Sequence, residues 1–272
     1  MLGKGDFGVV HSARSRVDGS LYAVKRGRLQ QRTSDKNSAY YEVFAMSSLA
    51  GVSNVVRYHS SWVEDDELYI QMELCKHTFL SQCKKGCPLA EQTALEVLHN
   101  IGGALCGMHK RGIAHMDVKP DNIYVALDGT YRLGDLGLAA SEEQMREGGV
   151  EPVEGDGRYA APEAVMCLSQ GGCERLSPCD IYSLGACIFE LCTGRAIDWS
   201  SQPFSSVRER ETVELAGYSA GLCLLLSCML NPDPAERCTA EEVWKEAGRL
   251  VGGGGIEGEL ARERCAPDAT PV

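Results

Sequence analysis

The sequence has no apolar run long enough to cross a membrane. Its longest, "AGLCLLLSCML" from Ala220, is 11 residues, about half of the roughly 20 that a span needs. It reads as a core helix. There is no excess of basic charge either. Lys and Arg total 27 against 38 Asp and Glu, a net charge of -11. That balance argues against binding of a nucleic-acid backbone as the main activity, although a locally basic cleft stays compatible with it. No signal peptide and no CxxC pair occurs, and the 13 cysteines are an odd number. "CKKGC" (Cys83, Cys87) and "CLLLSC" (Cys223, Cys228) have the wrong spacing for a zinc site. The cysteines therefore read as reduced, mostly buried thiols of a cytosolic or nuclear protein. No internal repeat is evident.

What is present suffices for a folded protein. The chain has 272 residues, 44% apolar and 24% charged. It can bury the core of one large domain or two packed lobes. To about Leu74 the pattern predicts strands around one helix. "VVHSARSRV" and "SLYAVKR" flank Asp18-Gly19, a two-residue hairpin signal. "SDKNSAYYEVFAMSSLAG" predicts a helix ending at Gly51. "VVRYHSSWV" and "LYIQMEL" flank "EDDE" as a second hairpin. From about Ala90 the pattern is helical, with Leu95, Leu98, Ile101, Leu105 and Met108 on one stripe. "SPCDIYSLGACIFEL" predicts a further helix, with Ser177 as N-cap and Pro178 in the first turn. The expectation is an α+β fold of two lobes, β-rich (about 1–74) and α-rich (about 76–247). A flexible tail over 248–272 carries "GGGG" and scattered charge. Met1 and Leu2 directly precede the first glycine, so the first strand is expected to be truncated.

"GKGDFGVV" places Gly3, Gly5 and Gly8 as GxGxxG. The same pattern opens dinucleotide-binding units, but there a helix follows. Here a strand and a turn follow, which favours a glycine-rich hairpin over phosphates. In "YAVK", Leu21, Ala23 and Lys25 share one face of a strand. On the predicted helix Ala39, Glu42, Met46 and Leu49 form one stripe, so Glu42 interrupts an apolar face. A buried carboxylate needs a cation. A Lys25–Glu42 pair would aim the lysine at the α- and β-phosphates of ATP.

"IAHMDVKPDNIYV", residues 113–125, completes the set. Asp117 can accept a proton from a substrate hydroxyl, Lys119 can neutralise a transferring phosphoryl group, and Asn122 can hold magnesium. Asp135 of "GDLG" can ligate magnesium between the β- and γ-phosphates. "AAPE" (Ala160 to Glu163) would close an activation segment. In this order and spacing the motifs resemble the protein kinase superfamily, from Gly3 to about Trp244. The resemblance implies the bilobal kinase fold with ATP and Mg2+ as cofactors and a protein substrate. By motif match Met72 would be the gatekeeper, Glu73 and Cys75 would give hinge hydrogen bonds from their backbone, and Val10 and Ala23 would enclose the adenine. Asp180 would brace the His115–Asp117 turn, and Glu163 and Arg237 would form an ion pair in the large lobe.

"YHSSWVEDDELYIQMELC", "HMDVKPDNIYV", "GDLG" and "EGDGRYAAPE" resemble the Wee family of cell-cycle inhibitory kinases, in particular its plant and algal members. That resemblance implies phosphorylation of a tyrosine in the glycine-rich loop of a cyclin-dependent kinase bound to its cyclin, which restrains mitotic entry. It also implies a nuclear location, extending to the cytoplasm. The expected partner is the protein substrate, with no nucleic acid and no membrane segment, and the chain is expected to be a monomer. The membrane-associated branch shares the "EGD-R" pattern but carries an anchor after its kinase domain, and no such segment stands in this tail.

Two positions depart from the usual kinase pattern. Met116 stands where an arginine would bind a phosphate on the activation loop. The segment from Asp135 to Glu163 offers only Ser141 and Tyr159 as hydroxyl acceptors. The expectation is a kinase active without loop phosphorylation, its loop held by packing. Asp156 replaces a usual threonine and is expected to pair with Lys119. The loop "DVKPDN" itself is of serine/threonine type, so the tyrosine preference rests on the resemblance. The alternatives are a serine/threonine kinase of other specificity and a catalytically impaired scaffold.

Overall fold

The computed structural model describes residues 1–5, 8–28, 33–141, 156–164, 175–198 and 213–253. Most of the expected tail, and Glu154 and Gly155 of "EGDGRYAAPE", lie outside the described residues. The first lobe is a five-stranded antiparallel sheet. Its strands are β1 (Gly3–Gly5), β2 (Gly8–Arg14), β3 (Leu21–Arg28), β4 (Tyr58–Glu64) and β5 (Glu67–Glu73), in the order β1-β2-β3-β5-β4. In β5 Leu68 and Ile70 are buried while Tyr69 and Gln71 are not, the alternation of a half-buried strand. The helix α1 (Thr33–Ser48) buries Glu42, Ala45 and Met46 on one stripe, and Leu49 extends it. The helix stops three residues before Gly51, which turns the chain at a φ of +82°.

The two hairpins differ from each other. Asp65 and Asp66 form the tight turn of the β4–β5 hairpin, both with positive φ, and Glu64 pairs with Glu67 across it. The β2–β3 connection is not the two-residue turn that Asp18-Gly19 suggests. Arg14 pairs with Leu21, and residues 15–20 form a longer loop. Inside it Asp18 accepts from the Ser20 amide at 3.0 Å and Ser15 Oγ accepts from the Val17 amide at 3.2 Å. These side-chain turns satisfy the backbone locally and displace the shorter turn.

The second lobe is built on helices α2 (Phe79–Gln82), α3 (Glu91–His109), α4 (Ser177–Thr193), α5 (Ala220–Met229) and α6 (Ala240–Val251). The α3 stripe predicted from sequence is buried throughout. Gly102 lets α6 approach closely, since a Cβ there would lie 3.1 Å from the Trp244 amide nitrogen. Helix α4 is buried on all sides from Cys179 to Phe189, so it is the central element of this lobe. It begins at Ser177 with Leu176, not Ser177, in the cap position. Burying a side chain such as Leu184 or Ile188 contributes roughly 1.5–3 kcal/mol.

Five short strands complete this lobe: β6 (His77–Thr78), just before α2, and β7 (Ile113–Ala114), β8 (Ile123–Val125), β9 (Tyr131–Leu133) and β10 (Ala140–Ser141), between α3 and α4. The β6, β8 and β9 strands form one sheet and β7 pairs with β10. One 3-10 turn, Pro120–Asn122, precedes β8. The lobes are stitched where the Val56 amide donates to the Leu133 carbonyl at 2.8 Å and the Leu133 amide to the Asn54 carbonyl at 2.7 Å. Among the described residues no helix is long and apolar enough to cross a membrane, and the described cysteines are free thiols.

Candidate active site

The site lies between the lobes. Gly3 pairs with Val10 and Gly5 with Gly8 in the β1–β2 hairpin. Its tip, Asp6-Phe7, lies outside the described residues. Gly8 has a φ of +134°, and a Cβ there would stand 2.3 Å from the Arg26 carbonyl oxygen. Only glycine lets β2 lie this close to β3. In register, Val10 faces Lys25 and Ala23 faces Met72. Ala23 is buried, as expected of a surface on which a flat ring can pack.

Lys25 Nζ lies 2.6 Å from Glu42 Oε1 and 3.5 Å from Asp135 Oδ1. The β3 strand, α1 and the segment after β9 thus meet at one cation. Burial works against its charge, but the carboxylates of Glu42 and Asp135 outweigh it and hold the Lys25 pKa above the ordinary lysine value. Lys25 therefore stays charged.

Asp180 of α4 organises the loop below. It is fully buried and accepts from the His115 and Met116 amides, each at 2.8 Å, with His109 Nε2 also at 2.8 Å. Those bonds hold Met116 in left-handed backbone at a φ of +64°. His115 donates from Nε2 to the Gly134 carbonyl at 3.0 Å and accepts at Nδ1 from the Asp117 amide at 3.2 Å. Asp117 Oδ2 then receives Lys119 Nζ at 2.7 Å and Asn122 Nδ2 at 2.9 Å. Its Oδ1 receives the Asp156 amide at 3.2 Å. The Gly134 amide donates to the Asn122 carbonyl at 3.0 Å, which places Asp135 beside this loop.

The chemistry of these groups is specific. A buried carboxylate set between a lysine and an amide can orient a hydroxyl and take up its proton. A second lysine on the opposite wall can neutralise anionic oxygens.

The Protein kinase domain family matches residues 1–247. The chain belongs to the protein kinase family. It is 41% identical over 243 residues to a Wee1-like protein kinase of Oryza sativa subsp. japonica, covering 89% of this chain and 45% of that protein. It is 38% identical over 245 residues to a Wee1-like protein kinase of Arabidopsis thaliana, covering 89% and 47%. A membrane-associated tyrosine- and threonine-specific cdc2-inhibitory kinase of Drosophila melanogaster is 32% identical over 249 residues, covering 89% and 45%. This kinase domain thus spans about half the length of these relatives, and its similarity within the family is to Wee1-like kinases, the resemblance that the motifs carry.

A protein kinase domain implies ATP, usually with magnesium. The donor set fits such a group. Asn122 commits its amide nitrogen to the Asp117 carboxylate and carbonyl, both at 2.9 Å, which leaves its side-chain oxygen to face a hard cation. Asp135 adds carboxylate oxygens, and oxygen donors are what magnesium takes. At the hinge the Glu73 amide is committed to the Arg57 carbonyl at 2.8 Å, so of this residue only the carbonyl can serve an adenine. Cys75 has no backbone partner among the described residues. Its thiol is pushed up to about 12 by burial and is not a nucleophile.

Of the site residues expected from sequence, Lys25, Glu42 and Asp135 meet at one cation and Asp117, Lys119 and Asn122 meet in the loop below. Three finer expectations fail or were missed. Asp156 does not pair with Lys119. Arg158 takes both its oxygens, at 3.0 and 2.6 Å, and Lys119 turns to Asp117 instead. Tyr159 is not an available acceptor, because it is buried and its hydroxyl donates to Glu190 of α4. His109 was not singled out, and nothing local in its helix signals that it reaches Asp180. By contrast the Glu163–Arg237 pair forms as expected, with Nη2 at 3.1 Å from Oε2.

Proposed function

We propose that this domain transfers the γ-phosphate of ATP to a tyrosine of a cyclin-dependent kinase bound to its cyclin, and so restrains mitotic entry. The observation that carries the catalytic part is the meeting of Lys25, Glu42 and Asp135 opposite Asp117, Lys119 and Asn122. Gly3, Gly5, Gly8, Val10 and Ala23 would cover the nucleotide, with Met72, Glu73 and Cys75 at its adenine edge. When bound, Mg·ATP supplies the phosphoryl group and neutralises its charge. Lys25, held by Glu42, binds phosphate oxygens. Asn122 and Asp135 hold the metal. Asp117 orients the acceptor hydroxyl and receives its proton, and Lys119 offsets charge on the moving group. The inhibitory target is supported by the similarity to the cdc2-inhibitory kinase of Drosophila melanogaster.

Activity without loop phosphorylation belongs to the same proposal. Met116 offers no cation for a phosphate, and it packs instead on Ala114, Ala140 and Leu176. A nuclear location, extending to the cytoplasm, and a monomeric state are part of the same proposal.

The test mixes the protein, Mg·ATP and a catalytically inactive cyclin-dependent kinase with its cyclin, and maps phosphosites by mass spectrometry. One phosphotyrosine in the target's glycine-rich loop, absent with Asp117→Asn, is expected. Phosphoserine or phosphothreonine alone would overturn the tyrosine assignment.

A further inference from the structure

The floor beneath the catalytic carboxylate carries a second charge that phosphoryl transfer does not use. Asp156 gives its amide to Asp117 Oδ1 at 3.2 Å, so its backbone is part of the site. Its side chain is another anion beside the lysine that Asp117 needs. A free carboxylate here would compete for Lys119, whose charge it already feels. In the structure it does not compete. Arg158 meets Oδ1 with Nε at 3.0 Å and Oδ2 with Nη2 at 2.6 Å, while its own amide donates to Oδ1 at 3.1 Å. The guanidinium is anchored in turn. It lies 5.2 Å from the Tyr159 ring centroid, and the Tyr159 hydroxyl is fixed on Glu190 of α4. The fork therefore connects the acceptor floor to the central helix of the large lobe.

We propose that Arg158 is a positioning residue for phosphoryl transfer: it holds the Asp156 carboxylate off Lys119 and thereby keeps Lys119 on Asp117. The fork is a two-pronged one that a lysine cannot reproduce. The hydrogen bonds from Arg158 also keep the Asp156 carboxyl below the ordinary carboxylate value, so it carries its full negative charge at neutral pH. That charge is harmless only while the fork is closed. This inference rests on the kinase reading but not on the identity of the protein substrate.

The experiment therefore follows steady-state hydrolysis of Mg·ATP, which needs no protein acceptor. Arg158→Ala is expected to lower kcat roughly tenfold with KM for ATP within about twofold, because the loss lies in the chemical step and not in nucleotide binding. Adding Asp156→Asn to Arg158→Ala is expected to restore most of the lost kcat, since a neutral amide no longer draws Lys119 away. A purely architectural role would give no such recovery. If Arg158→Ala melts at a lower temperature than the parent, Arg158→Lys carries the test, with kcat several-fold down at unchanged KM. Hydrolysis insensitive to both Arg158 variants, or a double variant no faster than Arg158→Ala, overturns the proposal. No hydrolysis by the unmodified protein overturns the catalytic reading beneath it.

Discussion

Two buried ion pairs tie distant parts of this chain together, and they are built differently. Arg237 is fully buried in the large lobe. It spreads its donors over Glu163, the Pro178 carbonyl at 2.7 Å and the Asn231 carbonyl at 3.0 Å, and lies 5.0 Å from the Tyr182 ring centroid. Its planar fork matches a fixed set of acceptors, the arrangement of an architectural tie. Lys25 is a point charge shared between Glu42, on one helix, and Asp135, on a segment of the other lobe. That cation faces the cleft, where a ligand's anionic oxygens can join the two carboxylates. The contrast teaches that burial and pairing alone do not mark function. What marks it is a cation whose carboxylates come from separate elements that meet at an opening.

Breaking each pair separates the two roles. Lys25→Met is expected to lower phosphoryl transfer on the order of 100-fold or more, and because it strands the buried Glu42 carboxylate it also lowers the melting temperature; transfer retained by Lys25→Met at matched temperature below its melting point would erase the distinction. Arg237→Met strands the Glu163 carboxylate and should cost about 3–5 kcal/mol. For a domain of this size that lowers the melting temperature by roughly 10 °C, measurable by calorimetry. A smaller effect is expected at the phosphate-covering hairpin. Gly8→Ala drives a Cβ into the Arg26 carbonyl, so β1 and β2 must part from β3. KM for ATP should rise by roughly tenfold, read from initial rates, while an unchanged KM would mean the strands yield without cost.

The smallest expected effect concerns pH and the half-exposed Asp156–Arg158 pair. Arg158 holds the Asp156 pKa below its ordinary value of 3.8. The folded value lies below the unfolded one, so the pair's contribution is present above the unfolded value and is lost as pH falls through the folded one. Solvent screening limits it to under about 1 kcal/mol. The melting-temperature difference between the parent and Asp156→Asn should be small at neutral pH and vanish in strong acid. A difference that grows on acidification would reverse the sign assigned to the pair.

Much of this was legible along the chain because it is written in local spacing. The stripe of α3, the alternation of β5, and Glu42 interrupting the apolar face of α1 each follow from a period of the backbone. From Glu42 the need for a buried cation follows by electrostatics, and Lys25 was the candidate on a strand face. The hairpins mark where that logic ends. Asp65-Asp66 and Asp18-Gly19 both carry turn-forming residues, yet only the first makes a two-residue turn, because Ser15 and Asp18 satisfy the second loop from their side chains.

The sequence by itself determined the element types, the order of the chemical groups and the family to which they belong, since these depend on residue type and spacing. Only the tertiary structure decided which partner each charge takes. Asp156 had two cations within reach of its stretch, and Arg158 won because its fork meets both oxygens from two residues away. Tyr159 became a buried donor because α4 brings Glu190 to it. Met116 took a left-handed backbone because Asp180, 64 residues on, accepts its amide. Each of these choices is a competition settled by distances that chain neighbours do not encode.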